Sequence, residues 1–215
     1  MAEIQLNQII LADCMDIMRD IPDKYFELAI VDPPYGIDRD RMNMGAGGGV
    51  AKHNTYKMFL DKPVMSVNYI NTLLRISKNQ IIWGGNYFIL PPTKGWIVWK
   101  KMDIKNDFSP IEMAWTSDLR MGFFDFLWAG MWQENMSEKE IRIHPTQKPV
   151  ALYRWLLQNY AKPGDKIIDT HSGSGSCAIA CHIEKHDFLA IEKDADYHAA
   201  SVKRLEEVRA QGVLF

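Results

Sequence analysis

Residues 166–192 constrain the fold most, because they read as a strand, a glycine turn, a helix and a second strand. The turn carries Gly173 and Gly175, and the second strand ends in Glu192. Strands that alternate with helices predict an α/β sheet, here mostly parallel and twisted, with helices on both faces. A glycine turn at a helix N-terminus brings backbone N–H groups close to a ligand, and an acid after the next strand can accept hydrogen bonds from ribose hydroxyls. We therefore expect either a site for a nucleoside-containing cofactor or a turn that only packs on the sheet.

Composition limits the classes of protein to which the chain can belong. Its 215 residues suit one domain, and 47% hydrophobic residues with a net charge of −2 exclude a mainly disordered chain and a pervasively basic nucleic-acid coat. No apolar run reaches about 18 residues, and the first residues lack the basic start of a secretory signal. Cys14, Cys177 and Cys181 make neither a disulfide framework nor a metal site. We expect a cytoplasmic protein without a bound metal.

Other segments extend the alternation of strands and helices. Asp13 is a good N-cap for the helix that follows the first strand. Residues 37–62 include a glycine-rich run and are typical of a lid or a binding loop. Strands are predicted at 9–12, 26–31, 81–83, 96–99 and 111–115. Helices are predicted from 63 to about 77, at 151–160, at 177–184 and from 194 to about 209.

The motif Asp32-Pro33-Pro34-Tyr35 directly follows the strand 26–31. Ligands of open α/β sheets bind at the carboxyl ends of the strands. Two prolines fix the backbone, so the Asp32 carboxylate and the Pro33 carbonyl form a rigid pair of acceptors that suits an exocyclic amine. Acceptors on both amine hydrogens favour a pyramidal nitrogen with an available lone pair, which stabilises a transition state more than the ground state. Tyr35 can stack on a base, and the alternative is a turn whose aspartate caps a helix.

Several motifs together are similar to those of one enzyme family. Val31-Asp32-Pro33-Pro34-Tyr35-Gly36 resembles the catalytic motif of amino-group DNA methyltransferases, which use S-adenosylmethionine. The order of catalytic motif, recognition region and cofactor motif resembles that of the circularly permuted beta class. The further matching segments are 11–14, His144-Pro145-Thr146-Gln147-Lys148-Pro149, the loop 169–175 and 189–197.

The resemblance implies a Rossmann-like methyltransferase fold in one domain, 1–215. Within it we expect the catalytic motif at 9–36, the loop at 37–62, a short target-recognition region at about 94–143 and cofactor motifs at 144–205. The loop departs from the family's usual Asp-Pro-Phe, because it reads Asp169-Thr170-His171. The histidine either replaces an aromatic contact or adds a pH-sensitive one.

The resemblance also assigns roles to single residues. Asp32 and Pro33 would accept from the target amine, with Pro34 in the same motif and Tyr35 stacked on the base. Glu192 would hold the cofactor ribose. The expected cofactor-binding residues are Asp13, Cys14, Asp32, Thr146, Lys148, Asp169, His171, Ser172, Gly173, Gly175, Glu192 and Lys193. Asp13 and Cys14 would lie near the cofactor adenine, and Thr146 and Lys148 at its methionine end.

The implied activity is methylation of the adenine N6 amine in double-stranded DNA, after the base is flipped out of the duplex. Methylation of cytosine N4, or of adenine in RNA, and a non-catalytic regulator stay open as alternatives. A nucleotide-dependent dehydrogenase would need a third glycine at position 178, which is alanine, and has no use for the Asp32 motif. The expected DNA-contacting cations are Arg39, Arg41, Lys52, Lys94, Lys100, Lys101 and Lys105.

Two protein partners are also expected. A homodimer would follow from the resemblance alone. The tail Gln211-Gly212-Val213-Leu214-Phe215 is similar to the short peptide that binds the bacterial sliding clamp, although glycine stands where that peptide commonly has leucine. The alternative is a frayed end of the chain.

Overall fold

The structure, a computed structural model, describes residues 4–35, 66–102, 109–129 and 132–212. An eight-stranded sheet has the order β1-β10-β9-β2-β3-β5-β4-β6, and β7 and β8 form a separate hairpin. The strands are β1 (Gln8–Leu11), β2 (Phe26–Val31), β3 (Ser77–Trp83), β4 (Gly95–Lys100), β5 (Ile111–Thr116), β6 (Gly122–Asp125), β7 (Trp128–Ala129), β8 (Trp132–Gln133), β9 (Ile167–Asp169) and β10 (Phe188–Glu192). Only β5 runs antiparallel to its neighbours in the large sheet, so the prediction of a mostly parallel sheet is confirmed.

Helices cover both faces of this sheet. They are α1 (Cys14–Asp20), α2 (Val67–Ile76), α3 (Val150–Tyr160), α4 (Ser176–Ile183) and α5 (Ala195–Ala210). One face packs on α3, α4 and α5 through side chains such as Leu156, Ile179 and Leu205. The other packs on α1 and α2 through Met18 and Leu73. Among the described helices, none is long and apolar enough to cross a membrane.

The central strands are buried because both faces of the sheet are covered. Five of the six residues of β2 are buried, which explains why this strand is nearly continuous apolar sequence. Chain order reverses between β9 and β2, which lie side by side and parallel. Their carboxyl ends, at Asp169 and Val31, therefore open on one crevice, where parallel sheets bind ligands.

The structure differs from the sequence predictions at two places. Ser77 begins β3 instead of ending the preceding helix, because Ser77 caps α2 with its backbone N–H and its hydroxyl bonds the Leu73 carbonyl. Strands β6, β7 and β8 were not predicted, since they are short and their alternation of exposed and buried residues is weak. The loop at 37–62 lies outside the described residues.

Candidate active site at the carboxyl ends of β2 and β9

Asp32 stands immediately after β2 and both of its carboxylate oxygens are engaged. Oδ1 accepts a hydrogen bond from the Tyr35 hydroxyl at 2.5 Å. Oδ2 accepts one from Lys148 Nζ, also at 2.5 Å. Pro33 is buried and Pro34 is exposed, so the first proline fixes the turn inside the protein. The motif thus holds a carboxylate in one orientation at the crevice.

A buried chain of alternating charges extends from Asp32. The ammonium of Lys148, whose side chain is 4% exposed, also lies 2.9 Å from Glu112 Oε2. Glu112 Oε1 in turn accepts from Lys101 Nζ at 2.8 Å. Burial alone would raise the pKa of Glu112, but the charges of Lys148 and Lys101 outweigh it and lower the pKa to about 2. Two acids and two lysines therefore form a compensated ionic network behind the site.

Tyr35 packs against two aromatic residues that follow β3 in the chain. Its ring stacks on Tyr87 with centroids 5.3 Å apart and an angle of 21° between the rings, and it meets Phe88 edge-on. Gly84 permits this approach, because a Cβ there would lie 2.2 Å from Tyr35 Cε1 and because its φ is +66°. Burial and the charge of Asp32 raise the pKa of Tyr35 well above its ordinary value, so its hydroxyl keeps its proton and donates.

The glycine turn lies beside this site, after β9. The Asp169 carboxylate accepts the backbone N–H of His171, and Glu192 Oε2 accepts that of Gly173 at 2.7 Å. Gly173 and Gly175 have φ of +51° and +75°, which glycine adopts without strain. Burial, together with the charges of Asp32 and Glu192, raises the pKa of Asp169 to about 8. Burial therefore disfavours the ionised form of the carboxyl at the end of β9.

The segment 144–149 packs on this turn. His144 lies over Gly173, where a Cβ would be 3.6 Å from the imidazole, and contacts Tyr197 with ring centroids 4.4 Å apart. Nδ1 of His144 is 3.1 Å from Thr146 Oγ1. Lys148 reaches the Asp32 carboxylate from the same segment. The structure therefore brings the motif 32–35, the segment 144–149 and the glycine turn together.

Predicted residues of the cofactor site also surround the start of α1. Asp13 caps this helix, since its Oδ1 accepts the Met15 N–H at 2.9 Å. Burial raises the pKa of the neighbouring Cys14 thiol to about 11, so it is protonated at neutral pH. Lys193 Nζ lies 3.5 Å from Asp13 Oδ2 in an exposed ion pair. Glu192 Oε1 accepts the Lys193 N–H at 2.9 Å, which orients this carboxylate.

Of the predicted DNA-contacting cations, Lys94, Lys100 and Lys101 lie among the described residues. Lys101 belongs to the buried ionic network, with its side chain 15% exposed. Lys100 pairs with Asp125 at 3.2 Å, and Lys94 is exposed. Arg39, Arg41, Lys52 and Lys105 lie outside the described residues.

Sequence reasoning missed Glu112, Tyr87 and Tyr69. Glu112 has a recognisable signal, because it is an acid between apolar residues of a strand. Tyr87 and Tyr69 have none, since an aromatic residue at those positions is equally compatible with ordinary packing. Across the described residues, no group of three or more His, Cys, Asp or Glu side chains could hold a metal ion.

Sequence comparison finds relatives among DNA methylases. Residues 89–203 match the N6/N4 family model described as DNA methylase. The chain is 22% identical over 249 residues to the type II methyltransferase M.HinfI of Haemophilus influenzae, which covers 95% of this chain and 69% of M.HinfI. It is 24% identical over 170 residues to the type II methyltransferase M2.MboI of Moraxella bovis, covering 77% of this chain and 56% of M2.MboI.

Solved structures share the fold. The complex of M1.HpyAVI with SAM superposes with a TM-score of 0.58 at 19% identity, over 92% of this chain and 98% of that one. The cytosine-N4-specific PvuII DNA methyltransferase also gives 0.58, at 10% identity, over 94% of this chain and 91% of that one. The predicted Rossmann-like methyltransferase fold is confirmed.

Proposed function

This chain belongs to the N6/N4 DNA methylase family, and on that premise we propose that it transfers a methyl group from S-adenosylmethionine to the N6 amine of adenine in DNA. The observation that carries the proposal is the position of Asp32. Its carboxylate is fixed at the carboxyl end of β2, beside the glycine turn of β9 and next to the Tyr35 ring.

The residues of the turn fit an adenosyl cofactor. Gly173 and Gly175 hold the turn in a left-handed conformation at the N-terminus of α4, a positive helix end that favours polar or anionic groups of a ligand. Ser172 Oγ is buried and has no hydrogen-bond partner in the described part of the chain, so a polar group of a ligand would satisfy it. Glu192, held by backbone N–H groups, can accept from the ribose hydroxyls.

The proposed mechanism assigns binding and orientation to the residues of the chain. Asp32 and the Pro33 carbonyl accept the two hydrogens of the target amine and make its lone pair available for in-line attack. Tyr35 donates to Asp32 and keeps its carboxylate oriented, while its ring offers a stacking surface for the base. Lys148 donates to the second carboxylate oxygen and holds Asp32 in place from the opposite side. The cofactor, when bound, would supply a methyl group on a sulfonium and leave as S-adenosylhomocysteine. The amine therefore needs no general base before attack and loses its surplus proton to solvent afterwards.

The remaining cofactor contacts and the preference for adenine extend the proposal. Thr146 and Lys148 would face the methionine end, Asp13 and Cys14 the adenine, and Asp169, His171 and Lys193 the pocket between them. The aspartate of the first motif supports adenine N6 as the target. Cytosine N4 is the second candidate, because the PvuII DNA methyltransferase has the same fold.

The experiment that tests the function is incubation of the protein with labelled S-adenosylmethionine and DNA, followed by digestion and nucleoside analysis. We expect label in N6-methyladenine. Label in N4-methylcytosine would shift the assignment to the second candidate. RNA as a parallel substrate tests the alternative of adenine methylation in RNA. The absence of label from every base would refute the proposed transferase activity.

Partners of the protein are part of the same proposal. Double-stranded DNA would be the substrate, with Lys94 and Lys100 among its contacts. A homodimer and the binding of a sliding clamp through 211–215 stay predictions, and residues 213–215 lie outside the described residues. Retention on an immobilised clamp, with and without the last five residues, tests the second.

A further inference from the structure

A hydrogen-bonded row connects α2 to the turn of the candidate cofactor site. The Tyr69 hydroxyl lies 2.6 Å from Thr170 Oγ1, and Thr170 Oγ1 lies 2.9 Å from Nδ1 of His171. Tyr69 and Thr170 are each 2% exposed, whereas His171 is partly exposed. The ring of Tyr69 also meets the imidazole edge-on, with centroids 5.4 Å apart. Two side chains, Tyr69 of α2 and Thr170 of the turn after β9, therefore fix the position of His171.

The protons of this row can be assigned by hydrogen-bond accounting. Burial raises the pKa of Tyr69 well above its ordinary value, so its hydroxyl holds a proton that needs an acceptor. Among the described residues, Thr170 Oγ1 is the one partner of that hydroxyl, so Tyr69 donates to Thr170. The Thr170 proton then has a single described acceptor left, which is Nδ1 of His171.

Other arrangements leave a buried donor without a partner. If His171 Nδ1 carried the proton and Thr170 donated to Tyr69, the tyrosine proton would have no acceptor in the described part of the chain. If both neighbours donated to Thr170, the threonine proton would have none. A buried donor without a partner is costly, so the neutral imidazole carries its proton on Nε2.

The proposed function places Asp13, whose charge acts on the imidazole, near the cofactor adenine. Among the described residues, the charged groups that act on the imidazole are Asp13, the N-cap of α1, and Lys193, which follows β10. Asp169 accepts the backbone N–H of His171 from β9. Burial lowers the pKa of His171 to about 4, with Asp13 opposing this effect and Lys193 adding to it. The imidazole is therefore neutral at physiological pH.

We propose that Tyr69 and Thr170 hold His171 in the Nε2–H tautomer, so that its ring donates a hydrogen bond to an acceptor atom of the cofactor's adenosine half. This inference rests on the proposed function for the identity of the ligand. An apolar aromatic residue at this position could stack but could not donate. The hydrogen-bonded row gives His171 the role of a hydrogen-bond donor to the cofactor, and Tyr69 and Thr170 are positioning residues.

The tautomer is tested without any ligand. Long-range ¹H–¹⁵N spectra of the imidazoles distinguish a protonated from an unprotonated ring nitrogen, and the spectrum of His171→Gln assigns the signal of His171. We expect a proton on Nε2 in the wild type and loss of that preference in Thr170→Val, which removes the hydroxyl that donates to Nδ1. A proton on Nδ1 of the wild type would overturn the relay.

The contact is tested by calorimetry with S-adenosylhomocysteine. The amide nitrogen of Gln mimics Nε2 of histidine, whereas that of Asn mimics Nδ1. We expect His171→Phe and His171→Asn to bind about three- to tenfold more weakly than the wild type, and His171→Gln to bind nearly as well. His182→Phe, in the last turn of α4, is the matched control. Thermal melts verify that each variant is folded.

Two results separate this inference from the proposed function. Equal affinity of His171→Phe and the wild type for S-adenosylhomocysteine would refute the proposed hydrogen bond from His171 while leaving the methyltransferase assignment intact. Failure of the wild type itself to bind S-adenosylhomocysteine would overturn both the proposed cofactor and the contact, whatever the tautomer.

Discussion

Replacing Glu112 by glutamine should destabilise the protein by about 3 kcal/mol at pH 7, because it leaves the buried Lys148 and the partly buried Lys101 with one carboxylate. Oε1 and Oε2 of Glu112 lie 2.8 and 2.9 Å from the ammonium groups of Lys101 and Lys148. Those lysine side chains are 15% and 4% exposed, so water cannot replace the lost partner well. Glutamine keeps the shape of the side chain and removes only its charge.

Two estimates of the magnitude agree. Breaking a buried ion pair by removing one partner costs about 3–5 kcal/mol, and the 27% exposure of the Glu112 side chain favours the lower end. The pKa of Glu112, lowered from 4.5 to about 2, corresponds to about 3 kcal/mol in favour of the charged form. Because this pKa is lowered in the folded state, the contribution is present above pH 4.5 and is lost as the pH falls toward 2.

Urea unfolding followed by circular dichroism measures the loss, which corresponds to a fall in Tm of about 6–12 °C. Glu206→Gln is the matched control, because Glu206 pairs with Arg209 on the surface of α5 and should contribute less than about 1 kcal/mol. A Glu112→Gln variant within about 1 kcal/mol of the wild type at pH 7 would refute the network as a source of stability. A difference in unfolding free energy between the two proteins that does not shrink as the pH falls from 4.5 to 3 would also refute this role of the network.

Three further changes test the surroundings of the site. Gly84→Ala should lower the free energy of unfolding in urea by about 1–3 kcal/mol, since its Cβ would collide with Tyr35. Gly164→Ala is the control for backbone strain alone, because Gly164 has a φ of +87° and open space around it, and it should lower the free energy of unfolding by less. The wild type should lose stability as the pH rises from 3.8 to about 8, because a carboxyl whose pKa is raised in the folded state favours folding only while it holds its proton. Asp169→Asn should reduce this loss. Curves of unfolding free energy against pH that superimpose for the two proteins would contradict this prediction. Tyr35→Phe should lower kcat about tenfold with cofactor affinity unchanged, since Asp32 loses its donor; an unchanged kcat would show that the hydroxyl does not orient the carboxylate.

Most of the sheet could be predicted from the sequence because its strands are buried runs that turn signals interrupt. The strand before Asp32 ends at two prolines, and the strand before Asp169 ends at a glycine turn. In both cases the local sequence determines the boundary. The short strands β6, β7 and β8 depend on pairing with partners distant in sequence or on a hairpin, and local patterns carry little information about such pairing.

The site could be predicted only where a motif carries its chemistry. Asp32, Glu192 and the two glycines could be proposed as site residues because their residue types and spacing define what they can do. The partner of Lys148 was not predicted, because the distance between positions 32 and 148 says nothing about which carboxylate the ammonium meets. The row from Tyr69 to His171 likewise depends on how α2 packs against the turn after β9.

The central claim is that Asp32 accepts from the amine of the target base. Transfer of label from S-adenosylmethionine to DNA by Asp32→Ala and by the wild type, with the affinity of both for S-adenosylhomocysteine, tests it most directly. We predict that Asp32→Ala abolishes transfer into N6-methyladenine while cofactor affinity stays within a few-fold of the wild type. Substantial transfer by a folded Asp32→Ala variant would contradict the role of this carboxylate.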